Sequence, residues 1–421
     1  MERATNSAGN VAFTARRFYR PSSVEELQRL VTGSDRMRAL GTGHSFNRIA
    51  DTRGDLVSLE RLPKSMEIDE ERTTVTVGAG VRYSELAERL HAVGLALPNL
   101  GSLPHISVAG ACATATHGSG DRHGNLATDV SALEMVTADG EVVVLDRLTD
   151  RAVFTGAVVG LGSLGVVTRL TLGTIPSFDV AQCVYEDMPE QQLTEALPVI
   201  FSSADSVSVF TDWRGSTLRQ VWLKRRVDSD ESWRPERHWL GASLADGPRH
   251  PVAGISAVHC TEQEGLVGPW HERLPHFRAA FTPSSGNELQ SEYLVARHDA
   301  VDAMTALTTI RAEIAEVLQI SEIRTVAADD LWMSPSYRRD TVALHFTWIN
   351  DAAAVGRVLR LIEERLQPFD ARPHWGKLFS LDAEDVRARY DRSTDFESLR
   401  AHFDPAGKFR NAFIDEYFPA R

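Results

Sequence analysis

Residues 40–47, with the sequence Leu-Gly-Thr-Gly-His-Ser-Phe-Asn, restrict the fold of this chain more than any other segment. They follow residues 37–39, where a strand is predicted to end. Two glycines one residue apart allow the backbone to turn with positive φ and to approach a ligand closely. Successive N–H groups in such a turn form a concave anion site that suits a diphosphate. His44 follows the glycines, and its imidazole can act as a nucleophile. The segment indicates either a phosphate cradle with one reactive histidine or an ordinary glycine turn beside a surface histidine.

A second segment, residues 99–120, consists mostly of small residues and contains no lysine or glutamate. A long run of small residues indicates that something large lies against the backbone. The hydroxyl and N–H groups of the segment would satisfy the polar atoms of that partner. The alternative is a helix that packs closely against a sheet.

Composition excludes several classes of protein. The chain has 421 residues, which favours two or three domains, and its 43% hydrophobic and 24% charged residues are typical of globular proteins. The net charge of −13 and the scattered lysines and arginines argue against a nucleic-acid partner. No apolar run approaches the ~20 residues of a membrane span, and the N-terminus lacks the apolar core of a signal peptide. We therefore expect a cytoplasmic protein, which also agrees with three widely spaced cysteines, Cys112, Cys183 and Cys260.

Alternating helices and strands are predicted over the first 175 residues. A helix begins in residues 21–27, where a serine caps it and acidic residues occupy its first turn. A strand is predicted over 73–77 and an amphipathic helix over 84–93. The turn pair at 139–140 predicts a hairpin, and residues 166–172 alternate as a half-buried strand.

Two other motifs lack the structural context that their chemistry requires. Residues 160–165 match Gly-x-Gly-x-x-Gly, but a dinucleotide fingerprint must open a helix, and this segment runs into a predicted strand. An NAD-binding Rossmann protein is therefore disfavoured. His271 and His276 look like zinc ligands, but they lie five residues apart, and Pro275 interrupts the helix that they would need.

The chain after residue 176 is predicted to form an antiparallel sheet covered by helices. Strands are predicted over 206–210 and 342–348 and a helix over 301–318. Residues 233–251 are predicted to form a surface loop.

Polar side chains recur at strand spacing in two segments. Glu322 and Arg324 lie two residues apart, so a strand places them on one face. In the strand 342–348 the large apolar residues take one face, and His345 and Thr347 take the other. Two such strands would build a wall that binds a polyol. The alternatives are a solvated sheet face for Glu322 and Arg324 and an internally bonded core histidine for His345.

Longer segments carry a family resemblance. Residues 38–46, 97–99 and 99–120 resemble FAD enzymes of the vanillyl-alcohol-oxidase type, and the closer similarity is to the alditol (xylitol) oxidases. The resemblance extends over nearly the whole chain and includes residues 210–214, 220–226, 269–277, 281–286, 289–294, 322–328, 345–348, 372–377 and 404–409.

The resemblance implies an α+β fold in three parts. These are a two-lobed FAD-binding domain over residues 1–175, a substrate-binding domain with a large antiparallel sheet over 176–368, and a segment 369–421 that returns to the FAD-binding domain. The resemblance also implies FAD bonded covalently to His44, where the related oxidases carry a histidyl link. The cofactor-binding residues that it implies are Ala39, Leu40, Gly41, Thr42, Gly43, His44, Ser45, Ser102, Ser107, Gly110, Thr114, Ala115, Thr116, His117, Val167 and Thr347.

The implied activity is oxidation of the terminal primary hydroxyl of alditols such as xylitol and sorbitol to the aldose, with O2 reduced to H2O2. The implied substrate-binding residues are Ser102, Glu322, Arg324, His345 and Lys377, of which Arg324, His345 and Lys377 are also catalytic. The hydroxyl proton needs an acceptor, for which His345 and Lys377 are candidates. Reduced flavin needs a nearby positive charge, from Lys377 or Arg324. The division of these roles stays open.

An aldonolactone oxidase or dehydrogenase of the same superfamily is the alternative activity, and a flavin-binding protein without turnover is the alternative from another class. The expected partners are a small polyol and O2, with no nucleic acid and no membrane. A monomer is expected rather than an oligomer. Gly101 is expected to leave room for O2 beside the flavin.

Overall fold

The computed structural model of the protein describes residues 4–227, 233–281 and 287–419. Of the segment 281–286, which carries part of the resemblance, only Phe281 belongs to the described residues. The described strands are, in chain order, β1 (Arg17–Tyr19), β2 (Met37–Ala39), β3 (Asp55–Val57), β4 (Met66–Ile68), β5 (Thr74–Gly78), β6 (Leu95–Ala96), β7 (Val130–Val136), β8 (Val142–Asp146), β9 (Val166–Gly173), β10 (Ile175–Pro176), β11 (Asp179–Pro189), β12 (Ser206–Thr211), β13 (Thr217–Val227), β14 (His238–Trp239), β15 (Ala242–Leu244), β16 (Gly268–Pro269), β17 (Glu288–Ala296), β18 (Leu318–Val326), β19 (Thr341–Ile349) and β20 (Arg372–Pro373).

The α-helices of the described residues begin with one that is capped as the sequence predicts. Ser23 accepts a hydrogen bond from the N–H of Glu26 at 3.2 Å. The helices are α1 (Val24–Thr32), α2 (Tyr83–Ala92), α3 (Val108–Ala113), α4 (Arg151–Ala157), α5 (Gln191–Glu195), α6 (Leu197–Ser202), α7 (Ala300–Thr308), α8 (Arg311–Val317), α9 (Ala352–Leu366), α10 (Ala383–Ala388), α11 (Ser393–Phe403) and α12 (Ala412–Tyr417).

Two sheets organise the N-terminal part of the chain. Strands β1, β3 and β2 form a parallel sheet in that order, and β2 ends at Ala39, directly before the glycine turn. A five-stranded antiparallel sheet follows, with the order β4-β5-β9-β7-β8. The predicted positions of α2, β5, β9 and the β7–β8 hairpin are confirmed to within a residue or two. Alternate residues of β9 are buried, because one face of the sheet packs against the apolar side of α2 and α3.

Residues 160–165 lead into β9 without forming a helix. The exclusion of a dinucleotide fingerprint is therefore confirmed. In the described residues, no helix is both long and apolar enough to cross a bilayer.

A large antiparallel sheet contains ten strands of the described part of the chain. Its order is β14-β15-β11-β13-β12-β18-β19-β17-β20, with β16 paired to β11. β19 is central, and nearly all of its residues are buried on both faces. Leu344 and Phe346 point into an apolar core shared with α7 and α9, while His345 and Thr347 face the opposite side. A solvated face for Glu322 and Arg324 is wrong, since each residue is only 4% exposed.

The predicted helix over residues 301–318 is wrong. Two helices, α7 and α8, are separated at Ile310, which has φ −122° and ψ 23°, and Leu318 already belongs to β18. Thr308, Thr309 and Ile310 are β-branched in succession, which disfavours continuation of a helix. The break also buries Ile310 in the core beneath the sheet.

The predicted surface loop over 233–251 is wrong in part. Strands β14 and β15 pair as a hairpin at the edge of the large sheet. Its two turn residues, Leu240 and Gly241, have φ values of +49° and +79°. Positive φ at both turn positions matches the right-handed twist of the flanking strands. Leu240 occupies the first turn position, where such hairpins usually have Asn, Asp or Gly, so the sequence did not indicate a turn.

The C-terminal segment contacts both large sheets. Strand β20 pairs with β17 of the ten-stranded sheet. Side chains of α10, α11 and α12 belong to the same apolar core as the five-stranded sheet. The antiparallel sheets with helices packed on their faces give the expected α+β fold. The division at residues 175 and 368 stays a prediction.

Candidate active site

A cavity of about 970 Å³ is lined by parts of the chain that are distant in sequence. Its lining has two regions. We call the backbone-rich segments 40–47, 99–120 and 160–165 the glycine cradle. We call the opposite group of side chains the polar wall; its members are His276, Glu288, Gln290, Glu292, Glu322, Arg324, His345, Thr347 and Lys377.

The first two segments of the glycine cradle touch at Gly41 and Ser107. A Cβ atom at Gly41 would lie 2.5 Å from Oγ of Ser107, so only glycine permits this approach. The N–H of Ser107 donates to Oγ1 of Thr42 at 3.3 Å, and Gly43 adopts φ +72°. The turn therefore presents backbone to the cavity, as the two glycines predict.

His44 lies in this turn with a neutral imidazole. Burial lowers the pKa of His44 to about 4. Its Nδ1 lies 2.9 Å from Oγ1 of Thr42, and its Nε2 is buried with no hydrogen-bond partner in the described parts of the chain. His44 also lines the cavity, so the alternative of a surface histidine is wrong.

Residues 160–165 line the cavity as well, although sequence reasoning assigned them no site. The buried guanidinium of Arg38 donates to the carbonyl oxygens of Leu161 and Gly162 at 2.8 and 2.7 Å. These bonds fix the segment while its backbone forms part of the cradle. The glycine spacing was a valid signal for a ligand-facing loop, but not for a Rossmann helix.

On the polar wall, Glu322 and Arg324 project from β18 into the cavity, as their spacing predicts. Nε of Arg324 lies 3.6 Å from Oε2 of Glu322. Nη1 of Arg324 donates to Oγ of Ser102 at 3.2 Å, which connects the wall to the cradle. The neighbouring carboxylates raise the pKa of Arg324 despite the opposing effect of burial, so the guanidinium is charged.

Glu292 on β17 is a member of the wall that sequence reasoning missed. Its carboxylate accepts from Arg324 at 2.6 Å and from Nζ of Lys377 at 2.8 Å. The side chain of Lys377 is only 14% exposed. Burial lowers the pKa of Lys377, and Glu292 opposes that change.

Two histidines flank the carboxylate of Glu322. His276, which was also missed, lies 2.8 Å from Oε1 through its Nε2, and Nδ1 of His345 lies 3.7 Å from Oε2. Burial lowers the pKa of each histidine to about 4, so both imidazoles are neutral near pH 7. Neutral His276 therefore donates its Nε2 proton to Glu322.

A hydrogen-bond chain along β17 reaches the second nitrogen of His345. Nε2 of Gln290 donates to Oε1 of Glu288 at 2.8 Å, which turns Oε1 of Gln290 toward Nε2 of His345 at 3.2 Å. An acceptor oxygen in that position attracts the imidazole proton to Nε2, while Oε2 of Glu322 attracts it to Nδ1.

All the predicted site residues line this one cavity except Ala115. Ala115 is 1% exposed and has φ +52°, and its methyl group packs into the apolar core behind the cradle. Its assignment as a cofactor-binding residue gains no support from the cavity lining and stays a prediction. The left-handed backbone at Ala115 turns the neighbouring Thr114 and Thr116 toward the cavity instead.

Comparisons with known proteins agree with this arrangement. An FAD-binding-domain family model matches residues 15–146, and a D-arabinono-1,4-lactone oxidase family model matches residues 285–417. The chain is 52% identical to the alditol oxidase of a Streptomyces species, over 97% of each chain. It is 26% identical to the L-gulonolactone oxidase of Scyliorhinus torazame, over 95% of this chain and 94% of that one. Cholesterol oxidase from B. sterolicum has the same fold, with a TM-score of 0.79 at 15% identity over 99% and 96% of the two chains.

Fold, cradle and matches together define an FAD-binding oxidoreductase of the vanillyl-alcohol-oxidase type. Within that class, the chain belongs to the alditol oxidase family.

Proposed function

We propose that this chain oxidises the terminal primary hydroxyl of alditols, xylitol and sorbitol among them, to the aldose while O2 is reduced to H2O2. The observation that carries the proposal is that the buried polar side chains of Glu322, Arg324 and His345 line one cavity together with the glycine cradle. Buried donors and acceptors are almost always satisfied, and a polyol offers both at successive carbons. The name of the Streptomyces relative supports the same substrate class.

FAD fits the glycine cradle because glycine-rich backbone lines a cavity of about 970 Å³, and the N–H groups of such turns suit a diphosphate. The residues that would hold it are Ala39, Leu40, Gly41, Thr42, Gly43, His44, Ser45, Ser102, Ser107, Gly110, Thr114, Thr116, His117, Val167 and Thr347. When bound, FAD supplies the hydride acceptor and the route by which electrons reach O2.

The covalent link of FAD to His44 is part of the proposal. A histidine must be neutral to form such a bond, and burial keeps the pKa of His44 near 4. Thr42 holds one imidazole nitrogen, and the other is unpartnered within the described residues. The neutral imidazole and its unpartnered nitrogen support the proposed link.

The substrate hydroxyl proton passes to His345 in this proposal. Its imidazole is neutral near pH 7, so one of its two nitrogens carries a lone pair that can accept a proton. Lys377 is the weaker candidate because its ammonium is already paired with Glu292 at 2.8 Å. Lys377 and Arg324 instead provide the fixed positive charge that stabilises the reduced cofactor.

Gly101 supports O2 as the electron acceptor. A Cβ atom there would meet its nearest neighbour, the carbonyl oxygen of His117, at 3.7 Å, which is an ordinary contact. Neither packing nor a positive φ requires glycine, so a requirement of the loop geometry does not explain this residue. The missing side chain leaves space for a diatomic molecule beside Ser102. Cytoplasmic location and a monomeric state stay predictions from the sequence.

Oxygen uptake by the purified yellow protein tests the proposal. The kcat/KM for xylitol is expected to exceed that for ethanol by about 10⁴-fold or more, because a site that bonds several hydroxyls rejects analogues without them. L-gulono-1,4-lactone is the second compound to test, since a lactone oxidase model matches residues 285–417 and an L-gulonolactone oxidase is among the relatives. A clear preference for the lactone would favour the alternative activity, and equal efficiency with ethanol would exclude both.

A further inference from the structure

Glu292 lies at the centre of the polar wall and has no role in the reaction as described so far. It sits on β17 directly opposite His345 of β19, and its side chain is 1% exposed. Oε1 accepts from Nη2 of Arg324 at 2.6 Å, and Oε2 accepts from Nζ of Lys377 at 2.8 Å. The two cations of the site therefore meet at a single buried carboxylate.

These two cations reach Glu292 from separate parts of the fold. Arg324 lies on β18, which β19 separates from β17. Lys377 lies after β20, in a segment whose backbone is tied to β17. There the N–H of His374 donates to the carbonyl oxygen of Glu292 at 3.0 Å, and the N–H of Leu378 donates to that of Gln290 at 2.8 Å. Glu292 thus holds the Lys377 segment with its backbone and the Lys377 ammonium with its side chain.

Four ionised side chains balance one another near neutral pH. Burial raises the pKa of Glu292, but the charge of Lys377 outweighs it together with other neighbours, and the pKa lies well below its usual value. The pKa of Glu322 is lowered in the same way, with Arg324 as the main opposing charge. Two carboxylates therefore face two cations. The other titratable groups that face this cluster are Glu288, Lys224, His117, His276, His345 and His374.

We propose that Glu292 is a positioning residue that fixes the Lys377 ammonium and the Arg324 guanidinium on the polar wall and balances their charge. The proposal rests on the proposed function only through the roles of these two cations. A neutral polyol then binds where the charges of these four side chains cancel. Without Glu292, two buried cations would share one carboxylate, Glu322, and an unpaired buried charge is strongly destabilising.

Glu292→Gln keeps the size of the side chain and removes its charge. An amide has one acceptor oxygen, so it cannot accept from Arg324 and Lys377 through two oxygens. Loss of the opposite charge lowers the pKa of Lys377 further. Because the ammonium is lost as pH rises through that pKa, we expect the fall of kcat at alkaline pH to move to lower pH. At pH 7 we expect kcat to fall roughly 10–100-fold, with a smaller change in KM for xylitol.

Two further variants separate positioning from general stability. Glu292→Asp keeps the charge. We expect it to return the alkaline limb, the fall of kcat at high pH, toward that of the parent. Glu363→Gln removes a different buried carboxylate, one that accepts from the hydroxyl of Tyr293 at 2.7 Å and does not line the cavity. It is expected to lower Tm and to leave the alkaline limb in place.

Thermal unfolding of the holoenzyme gives a readout that needs no turnover. Glu292→Gln lowers Tm, and adding Lys377→Met restores roughly half of the loss or more, because the double variant is again balanced in charge. The proposal is overturned if Glu292→Gln keeps the parent alkaline limb, or if the double variant is no more stable than Glu292→Gln. If Glu292→Gln fails to fold, the double variant must fold. A parent enzyme that ignores xylitol would refute the proposed function, while the Tm series would still decide the role of Glu292.

Discussion

The glycine cradle and the polar wall line the same cavity, yet they are built in opposite ways. The cradle offers backbone, brought close by glycines such as Gly41, and a neutral histidine. The wall offers side chains, and its four ionised groups are nearly all buried from solvent. In the proposed function, the backbone of the cradle holds the cofactor, and the charged side chains of the wall act on the substrate. Substitutions in the cradle are expected to change how FAD is held, and substitutions in the wall are expected to change how substrate binds and reacts.

The largest effect is expected from His44→Ala in the cradle. The variant should bind FAD only noncovalently, because it removes the imidazole that forms the link. On a denaturing gel, the parent is expected to fluoresce under ultraviolet light and the variant to lose that fluorescence completely. His105→Asn is a matched control, since His105 is a buried histidine that does not line the cavity. Loss of the yellow colour from the parent on acid precipitation would contradict the covalent link.

On the wall, His345→Ala and Lys377→Met are each expected to slow reduction of the bound FAD by roughly 10²–10⁴-fold, because His345 accepts the proton and Lys377 supplies the fixed positive charge. The resting absorption spectrum should remain nearly normal, because the cradle is untouched. Anaerobic stopped-flow mixing with xylitol measures the rate. If both variants react at the parent rate, neither residue has its assigned role, and Arg324 becomes the candidate.

Glu322→Ala tests binding rather than chemistry. Charged hydrogen bonds contribute about 1.5–3 kcal/mol each, so the KM for xylitol is expected to rise roughly 10–100-fold. His276 would also lose its acceptor at 2.8 Å, which loosens the wall further. Steady-state kinetics with xylitol and with ethanol measure the effect, because ethanol has no additional hydroxyls that Glu322 could bind. An equal change in KM for both alcohols would show that Glu322 does not bind the polyol.

The smallest effect is expected at the boundary of the two regions, from Gly101→Val. A Cβ atom fits there at 3.7 Å from its nearest neighbour, so the variant should fold and be reduced by xylitol normally. Its reoxidation in air should slow about tenfold, which corresponds to ~1.4 kcal/mol in the barrier. Gly101→Ala is the matched, milder change. Reoxidation of Gly101→Val at the parent rate would show that Gly101 does not control access of O2.

The cradle was largely predictable from sequence, because its properties depend on residues a few positions apart. Paired glycines determine a tight turn, and the Ser23 cap and the alternation along β9 are equally local. The cavity-facing backbone at 160–165 was missed only because its motif was judged as a Rossmann fingerprint. A run of small residues also does not reveal which of its members, such as Ala115, face away from the cavity.

The wall was predictable only in part. Spacing placed Glu322 with Arg324 and His345 with Thr347, but it did not reveal the residues that join these pairs. Glu292 lies 85 positions from Lys377, and their contact depends on the register of β17 and the return of the chain after β20. The alternation of Glu288, Gln290 and Glu292 along one strand was an available signal. His276 had none, because a loop 46 positions from Glu322 positions it.

Anaerobic titration of the holoenzyme with xylitol tests the central claim most directly, since it joins the cofactor of the cradle to the chemistry of the wall. The account predicts that about one equivalent of xylitol bleaches the FAD absorption, that one equivalent of aldose appears, and that air restores the absorption with one equivalent of H2O2. An absorption that xylitol leaves unchanged while L-gulono-1,4-lactone bleaches it would contradict the account. So would an enzyme that xylitol reduces but that only a dye or quinone reoxidises.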